Sequence, residues 1–247
     1  MNTIYISLTG IFLSGLATGI GAIPVLFLKK NNPKLTDALL GFAAGIMLAA
    51  TFFSLLLPAL DIGGILVTIV GMVLGGVLMS FLDKITPHMH FIYGREGPSS
   101  RLKKIWLFVF AITLHNFPEG LSVGLGFGSG NIKAGIIIAT AIGLQNMPEG
   151  LAVALPLVAE GYTRWKSLLI ATLSGLVEPL MGLLGFFLVS IFKPILPYGL
   201  AFAAGAMLYV ISEEVIPESH RRGFEKEATF SLMAGFIVMM ILDYLLG

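Results

Sequence analysis

The sequence predicts an all-α, polytopic membrane protein, with eight transmembrane helices in a 3+2+3 arrangement that contains an inverted repeat. Three observations support this fold class. The 247 residues are 56% hydrophobic and 12% charged, with a mean hydropathy of +0.93, whereas soluble domains carry about 25% charged residues. Eight apolar runs are long enough to cross a bilayer. Segments of the first three runs return, in the same order, in the last three.

The composition also excludes several classes of function. A net charge of +1 indicates no nucleic-acid partner, and the absence of cysteine excludes thiolate metal ligands and disulfides. The thirty glycines suit close approach between helices in lipid. The chain is therefore expected to work inside a bilayer, with side chains other than thiols as its chemical groups.

Each predicted span contains about 20 mainly apolar residues, the length that a bilayer requires. The eight spans are 4–28, 36–58, 62–83, 104–128, 134–158, 166–190, 195–217 and 228–246. We expect the first to be a span rather than a signal peptide, because no Lys or Arg precedes it and its apolar run is too long.

The distribution of basic residues predicts the orientation of the chain. Every Lys and Arg except Lys133 and Lys193 falls on one side of the predicted spans, in the segments after the first, third, fifth and seventh. Basic residues accumulate on the cytoplasmic side of membrane proteins. Both termini are therefore predicted to be extracytoplasmic, and the protein to lie in the cell membrane, which is the inner membrane in a bacterium.

The repeated segments are separated by one constant distance in the numbering, here called the repeat offset. GFAAGIML at 41–48 returns as AFAAGAML at 201–208, LSGL at 13–16 returns at 173–176, and LD at 82–83 returns at 242–243. Because corresponding spans lie five spans apart along the chain, an odd number, the second copy is expected to be inverted, as in many secondary transporters. The chain is thus divided into a first repeat (1–83), a cytoplasmic loop (84–103), a central metal-binding helix pair (104–158) and an inverted second repeat (166–247).

The central helix pair carries one motif twice. Residues 115–120 read HNFPEG and residues 145–150 read QNMPEG, each within an apolar run. Ionisable residues at membrane depth cost roughly 2.5–3.5 kcal/mol on insertion scales, which makes them candidates for function. On a helix His115 shares a face with Glu119, as Gln145 does with Glu149. The prolines at 118 and 148 are each expected to kink their helix.

Other polar residues fall near the middle of the predicted spans. Glu178 lies in the sixth span and Met47 and Ser54 in the second, while Asn116 and Asn146 belong to the repeated motif. The two asparagines suit hydrogen bonding between helices as well as ligation, and Met47 suits packing as well as ligation. The seventh span also offers Glu213, Glu214 and Glu218, which suit the cytoplasmic mouth as well as the site. The histidines His88 and His90 suit metal capture on the cytoplasmic loop as well as ordinary solvated positions.

These residue types indicate a divalent cation. Carboxylates alone would suit Mg²⁺ or Ca²⁺, whereas a mixed set of imidazole, carboxylate and thioether suits Zn²⁺ or Fe²⁺. Glu119 and Glu149 together supply the two negative charges that offset such an ion. The residues alone therefore predict a polytopic carrier with a cation site at the midplane.

The motifs HNFPEG, SGLVEP and EEVIPESHRRG resemble those of the ZIP (Zrt/Irt-like) family of divalent metal transporters. The resemblance extends over essentially the whole chain. GFAAGIML and the glutamine that opens the second motif are most similar to the GufA-like prokaryotic branch. The resemblance implies uptake of zinc, or of iron, cadmium or manganese, into the cytoplasm by an elevator-like movement.

The resemblance also implies which residues bind metal. In that branch two metals can lie side by side. His115, Glu119, Gln145 and Glu149 would form the first site beside Met47, and Asn116, Asn146 and Glu178 would contribute to the second. The branch often has an acidic residue at the position of Asn146, so the second site here is expected to be weak or empty. The metal is expected as transported substrate and not as a cofactor.

The expected partners are divalent metal ions and the lipid bilayer, and a homodimer is one alternative for the assembly that the sequence leaves open. The competing function is an intramembrane metalloenzyme, a protease or lipid hydrolase with Glu119 as general base. Such a site keeps three protein ligands and one open position for water. The chain has no HExxH motif, and an enzyme would not need a duplicated motif. We therefore expect that the protein is not an enzyme.

Overall fold

A computed structural model describes residues 2–28, 32–85, 88–90, 94–96 and 104–246, and these residues are almost entirely helical. The helices are α1 (Asn2–Ala22), α2 (Pro33–Ala50), α3 (Leu57–Ile85), α4 (Lys104–Gly128), α5 (Ile132–Ala159), α6 (Arg164–Gly175), α7 (Val177–Ile191), α8 (Leu196–Val210), α9 (Ile216–Ser219) and α10 (Glu225–Leu246). Short 3₁₀ segments occupy Ile23–Leu26 and Lys193–Ile195.

Two short strands, β1 (His88–His90) and β2 (Gly94–Glu96), pair in antiparallel register within the predicted cytoplasmic loop. The all-α class is thus correct for the bundle, and the loop adds one hairpin-like pairing. The basic residues Lys29, Lys30, Arg101 and Lys103, which contributed to the predicted orientation, lie outside the described residues.

Six helical stretches of the described chain are long and apolar enough to cross a membrane, which makes this a multi-pass membrane protein. They are Thr3–Leu26, Pro33–Ile85, Ile132–Ala159, Arg164–Ile191, Lys193–Ser219 and Glu225–Leu246. Helix α4 is a further helix of 25 residues that contains the HNFPEG motif.

The second and third predicted spans, at 36–58 and 62–83, are joined in one helical stretch from Pro33 to Ile85. Within this stretch Gly64, close to the predicted boundary, leaves the helical region (φ 73°, ψ 177°). Glycine tolerates this positive φ because it has no Cβ. The predicted single span at 166–190 is also interrupted, because α6 ends at Gly175 and α7 begins at Val177.

Two π-helical segments, Thr51–Leu56 and Ile211–Val215, begin at positions that are related by the repeat offset. Neither was expected from the sequence. A π-helix is rare and is found mostly as one widened turn, frequently at a functional site. The second segment lies directly before α9 and contains Glu213 and Glu214.

Helices pack most extensively in four pairs, which are α1 with α5, α4 with α7, α2 with α10, and α3 with α8. The crossings depend on glycine. A Cβ at Gly45 would overlap the carbonyl oxygen of Leu232, and a Cβ at Gly205 would overlap that of Met72. The repeat offset added to Gly45 gives Gly205, and the same offset subtracted from Leu232 gives Met72. The repeat therefore relates the two contacts, and with them the pair α2 with α10 to the pair α3 with α8.

Candidate functional site

The two repeated motifs lie in the interiors of α4 and α5, and neither proline ends its helix. Five polar side chains of the motifs are buried: His115 is 6% exposed, and Asn116, Glu119, Gln145 and Asn146 are 0% exposed, while Glu149 is half-buried. An ionisable or amide group in such a position must find hydrogen-bond partners or a ligand, because burying it unpaired costs free energy.

Among the polar side chains of the two motifs, one hydrogen bond joins α5 to α4. The Nε2 amide of Gln145 donates a hydrogen bond to Oε1 of Glu119. Glu149, one turn further along α5, interacts electrostatically with both His115 and Glu119. The four residues that were predicted to form the first metal site are therefore neighbours.

His115 makes a contact that the sequence analysis did not anticipate. Its Nε2 lies 2.6 Å from Oε2 of Glu214, and both side chains are buried. The sequence left two positions open for Glu214, a site group on the seventh span or the cytoplasmic mouth, and the contact with His115 favours the first. The repeat offset relates Glu214 to Ser54, but Ser54 itself contacts Asp243.

The two motif asparagines make equivalent hydrogen bonds to the helices beside them. Nδ2 of Asn116 donates to the carbonyl oxygen of Ser174, and Nδ2 of Asn146 donates to that of Ser14, both at 2.8 Å. The asparagines hold the same place in the two motifs, and the repeat offset relates the two serines. Each asparagine thus fastens one central helix to the corresponding helix of one repeat.

Glu178 lies in the first turn of α7, immediately after the interruption between α6 and α7, and is fully buried. A carboxylate in this position is stabilised by the free N–H groups of the helix start. Asn146 also donates to both of its oxygens, at 2.8 and 2.7 Å, and Thr18 donates to Oε1 at 3.4 Å. Thr18 and Glu178 are again related by the repeat offset.

Several oxygens in this group are buried in the described chain without a hydrogen-bond partner. They are Oδ1 of Asn116, Oε2 of Glu119, Oε1 of Gln145, Oδ1 of Asn146 and Oε1 of Glu149. Every atom in this set is an acceptor. Native proteins rarely leave buried polar groups unpaired, and such groups mark sites of function or of a missing ion. A cation would satisfy all of them, whereas an anion that only accepts hydrogen bonds would satisfy none.

The described residues nevertheless include no group of three or more His, Asp and Glu side chains arranged to hold a metal ion. The contacts above give the reason, since Glu119 is bonded to Gln145, His115 faces Glu214 and Glu178 is bonded to Asn146. Met47 is buried within an apolar cluster that includes Ile138, Ile142 and Met207. To bind a metal, the site would have to exchange these internal contacts for coordination.

The remaining candidates lie at a distance from this group. Ser54 donates to Oδ1 of Asp243 at 3.0 Å, and both line a cavity of about 230 Å³ together with Lys133. Glu218 is half-buried and pairs with Arg222, while Glu213 is half-buried. His88 and His90 lie in β1, and their side chains are outside the described part of the chain.

Comparison with known proteins finds similarity to zinc transporters. The family model described as ZIP Zinc transporter matches residues 95–243. The chain is 47% identical to the zinc transporter ZIPB of Bordetella bronchiseptica, over 94% of this chain and 78% of that protein. It is 43% identical to the zinc transporter GufA of Myxococcus xanthus, over 95% and 96%, and 34% identical to the human zinc transporter ZIP11, over 100% and 98%.

Proposed function

Because the chain belongs to the ZIP zinc transporter family, in its GufA-like branch, we propose that it carries divalent metal ions across the membrane, with zinc as the principal substrate. The relatives are named as zinc transporters, and no relative described above is named as an enzyme. The metal is the transported substrate and not a resident cofactor.

The observation that carries this proposal is the set of buried, unpartnered acceptor oxygens on α4 and α5. His115, Glu119, Gln145 and Glu149 would form the first site. This set combines an imidazole nitrogen with carboxylate and amide oxygens and suits Zn²⁺ or Fe²⁺ better than Mg²⁺. Met47 would serve as a thioether ligand of the first site. Its side chain would have to turn from its apolar cluster towards that site.

The second site would use Asn116, Asn146 and Glu178, and we propose that it is weak or empty in this protein. The amide of Asn146 donates to both carboxylate oxygens of Glu178 and so competes with a metal for the same lone pairs. Two divalent ions would also face only three carboxylates, those of Glu119, Glu149 and Glu178. One positive charge would then stay uncompensated at low dielectric.

For the membrane arrangement we propose eight spans in a 3+2+3 order with an inverted repeat. Supporting features are the equivalent contacts related by the repeat offset, the break at Gly64 within a 53-residue helical stretch, and the length of α4. For the assembly a homodimer is one alternative, and mass photometry in detergent would measure it.

Transport would run towards the cytoplasm of a cell whose inner membrane holds the protein with both termini outside. The moving group would consist of α1, α4, α5, α6 and α7, which carry most of the candidate ligands, and the second group of α2, α3, α8 and α10. The contact between His115 and Glu214 joins α4 to the π-helical segment after α8. An elevator-like movement of the first group against the second would break and remake such contacts.

The test is metal flux into proteoliposomes, with zinc, iron, cadmium, manganese and magnesium compared. We expect Glu119→Gln and Glu149→Gln to lower zinc flux by about 100-fold, because each substitution removes a charge and a ligand. Glu160→Gln is the matched control, since Glu160 ends the same helix as Glu149 and is exposed. Near-normal flux in well-folded Glu119→Gln protein would exclude the proposed site.

A further inference from the structure

A second buried acid lies outside the candidate metal site. Asp37, in the second turn of α2, is 0% exposed. Both of its oxygens contact Arg222, in the turn before α10. Oδ1 accepts from the guanidinium at 2.8 Å and Oδ2 accepts from the backbone N–H at 3.2 Å. A buried carboxylate persists only when it is paired and hydrogen-bonded in this way.

Arg222 also binds the end of α9. Its guanidinium donates to Oε1 of Glu218 and to the carbonyl oxygen of the same residue, the latter at 3.1 Å. Arg221 lies 3.1 Å from the same carboxylate. Asp37, Glu218 and Arg222, here called the clamp, therefore tie the start of α2 to the end of α9.

The clamp lies close to Glu214 along the chain, and this position indicates what the clamp does. Glu218 is one helical turn beyond Glu214, and the π-helical segment Ile211–Val215 leads directly into α9. A π-turn contains one more residue than an α-turn. Its conversion to α-helix would rotate the side chains on one side of it by about 100° relative to the other. An anchor at the end of α9 resists this rotation.

We propose that the clamp is a positioning device that sets the register of the π-helical segment and so keeps the Glu214 carboxylate beside His115. This inference rests on the proposed function, because it takes the contact between His115 and Glu214 as part of the metal path. Arg222 is suited to the role because its planar guanidinium binds two acids at once, which the single ammonium of lysine does in a different geometry.

An exposed ion pair in the same part of the molecule provides a matched control. Lys34 on α2 forms an ion pair of 2.8 Å with Glu227 on α10, and these side chains are 57% and 36% exposed. Exposed ion pairs contribute little to stability. Lys34→Gln therefore removes a link between α2 and α10 without touching the clamp.

The experiment measures zinc flux in proteoliposomes and equilibrium zinc binding to the purified protein. We expect Arg222→Lys and Asp37→Asn to lower the maximal flux about tenfold, because a displaced Glu214 carboxylate no longer lies beside His115 and, by analogy with enzymes, misplacing a functional group by about 1 Å has an effect of at least this size. Zinc affinity at the central site should change less than twofold, since His115, Glu119, Gln145 and Glu149 are retained. Lys34→Gln should transport as the parent protein does.

A double-mutant cycle separates positioning from a general structural role. If the clamp acts through Glu214, Arg222→Lys should cause no further loss of flux in a Glu214→Gln background. An equal tenfold loss in both backgrounds would overturn the proposal, as would parental flux in folded Arg222→Lys protein. Parental protein that binds and moves no zinc would instead contradict the proposed function.

A covalent clamp covers the case in which the single variants do not fold. The chain has no cysteine, so Asp37→Cys and Arg222→Cys can be joined specifically by a short bifunctional methanethiosulfonate reagent. We expect the cross-linked protein to transport at the parental rate and the reduced protein about tenfold more slowly. Loss of transport on cross-linking would show that the clamp must open in each cycle, which contradicts a static positioning role.

Discussion

Gln145 and Asn146 are adjacent on α5, and each donates its amide hydrogens to a different buried glutamate. Gln145 binds Glu119 on α4, whereas Asn146 binds Glu178 on α7. Because an amide is a neutral donor, it holds a carboxylate without neutralising its charge. The two amides thus orient acids from two other helices and leave acceptor oxygens of their own unpaired.

Asn146→Asp should raise the number of bound zinc ions from about one to about two per chain. The substitution removes the donors that occupy Glu178 and adds the charge that two divalent ions require. Elemental analysis and anomalous diffraction count the ions. Asn131→Asp is the control, because Asn131 caps α5 by accepting from Ala134, which aspartate also does. Two fully occupied sites in the parent protein would contradict the argument.

Among the elements, the helix pairs depend on glycines that admit a neighbouring backbone. Gly75 on α3 faces the carbonyl oxygen of Phe202 on α8, and its counterpart Gly235 on α10 faces that of Phe42 on α2. Small residues allow close helix contact in membranes, where no hydrophobic effect drives helices together. The adjacent Gly76 meets only the carbonyl oxygen of Gly205, at 3.9 Å from an added Cβ.

Gly75→Ala should therefore destabilise the protein by about 1–3 kcal/mol, the range seen when a packed interior is overfilled. Gly76→Ala should be tolerated, because a Cβ there makes only an ordinary van der Waals contact. Thermal unfolding of both variants in the same detergent, followed by size-exclusion chromatography, measures the difference. Equal melting temperatures would show that the crossing of α3 and α8 is looser than the structure indicates.

At the scale of the whole molecule, contacts occur in pairs that the repeat relates. Asn116 to Ser174 corresponds to Asn146 to Ser14, and a Cβ at Gly120 would overlap Glu178 as one at Gly150 would overlap Thr18. Such reciprocal correspondence is expected of two repeats that are related by a pseudo-twofold axis. The positions of Lys and Arg then predict which end faces the cytoplasm.

Cysteines introduced at Lys30, Arg101 and Lys226 should be shielded from an impermeant thiol reagent applied to intact cells, and a cysteine at Lys133 should react. The chain contains no cysteine, so the parent protein gives no background. Permeabilised cells provide the control, because all four positions should then react. Reaction of the three basic-side positions in intact cells would reverse the orientation while leaving the repeat unaffected.

The helical class, the candidate ligands and the repeat could be predicted from the sequence because each depends on local pattern. Apolar runs of bilayer length favour helices wherever they lie. His115 and Glu119 share a face because of their spacing alone, and the repeat offset is visible in the letters. The family resemblance rested on the same motifs and is confirmed by the comparisons.

Only the tertiary structure decided how the buried polar groups are paired. The inward turn of Glu214 depends on a π-helical segment, and Asp37 finds its partner Arg222 at the far end of the chain. Neither has a local sequence signal, because π-turns and long-range ion pairs are set by what packs around them. The sequence determined which polar groups lie within apolar helices, whereas packing between distant helices determined which of them touch, since a buried polar group must find its partner wherever the fold brings one.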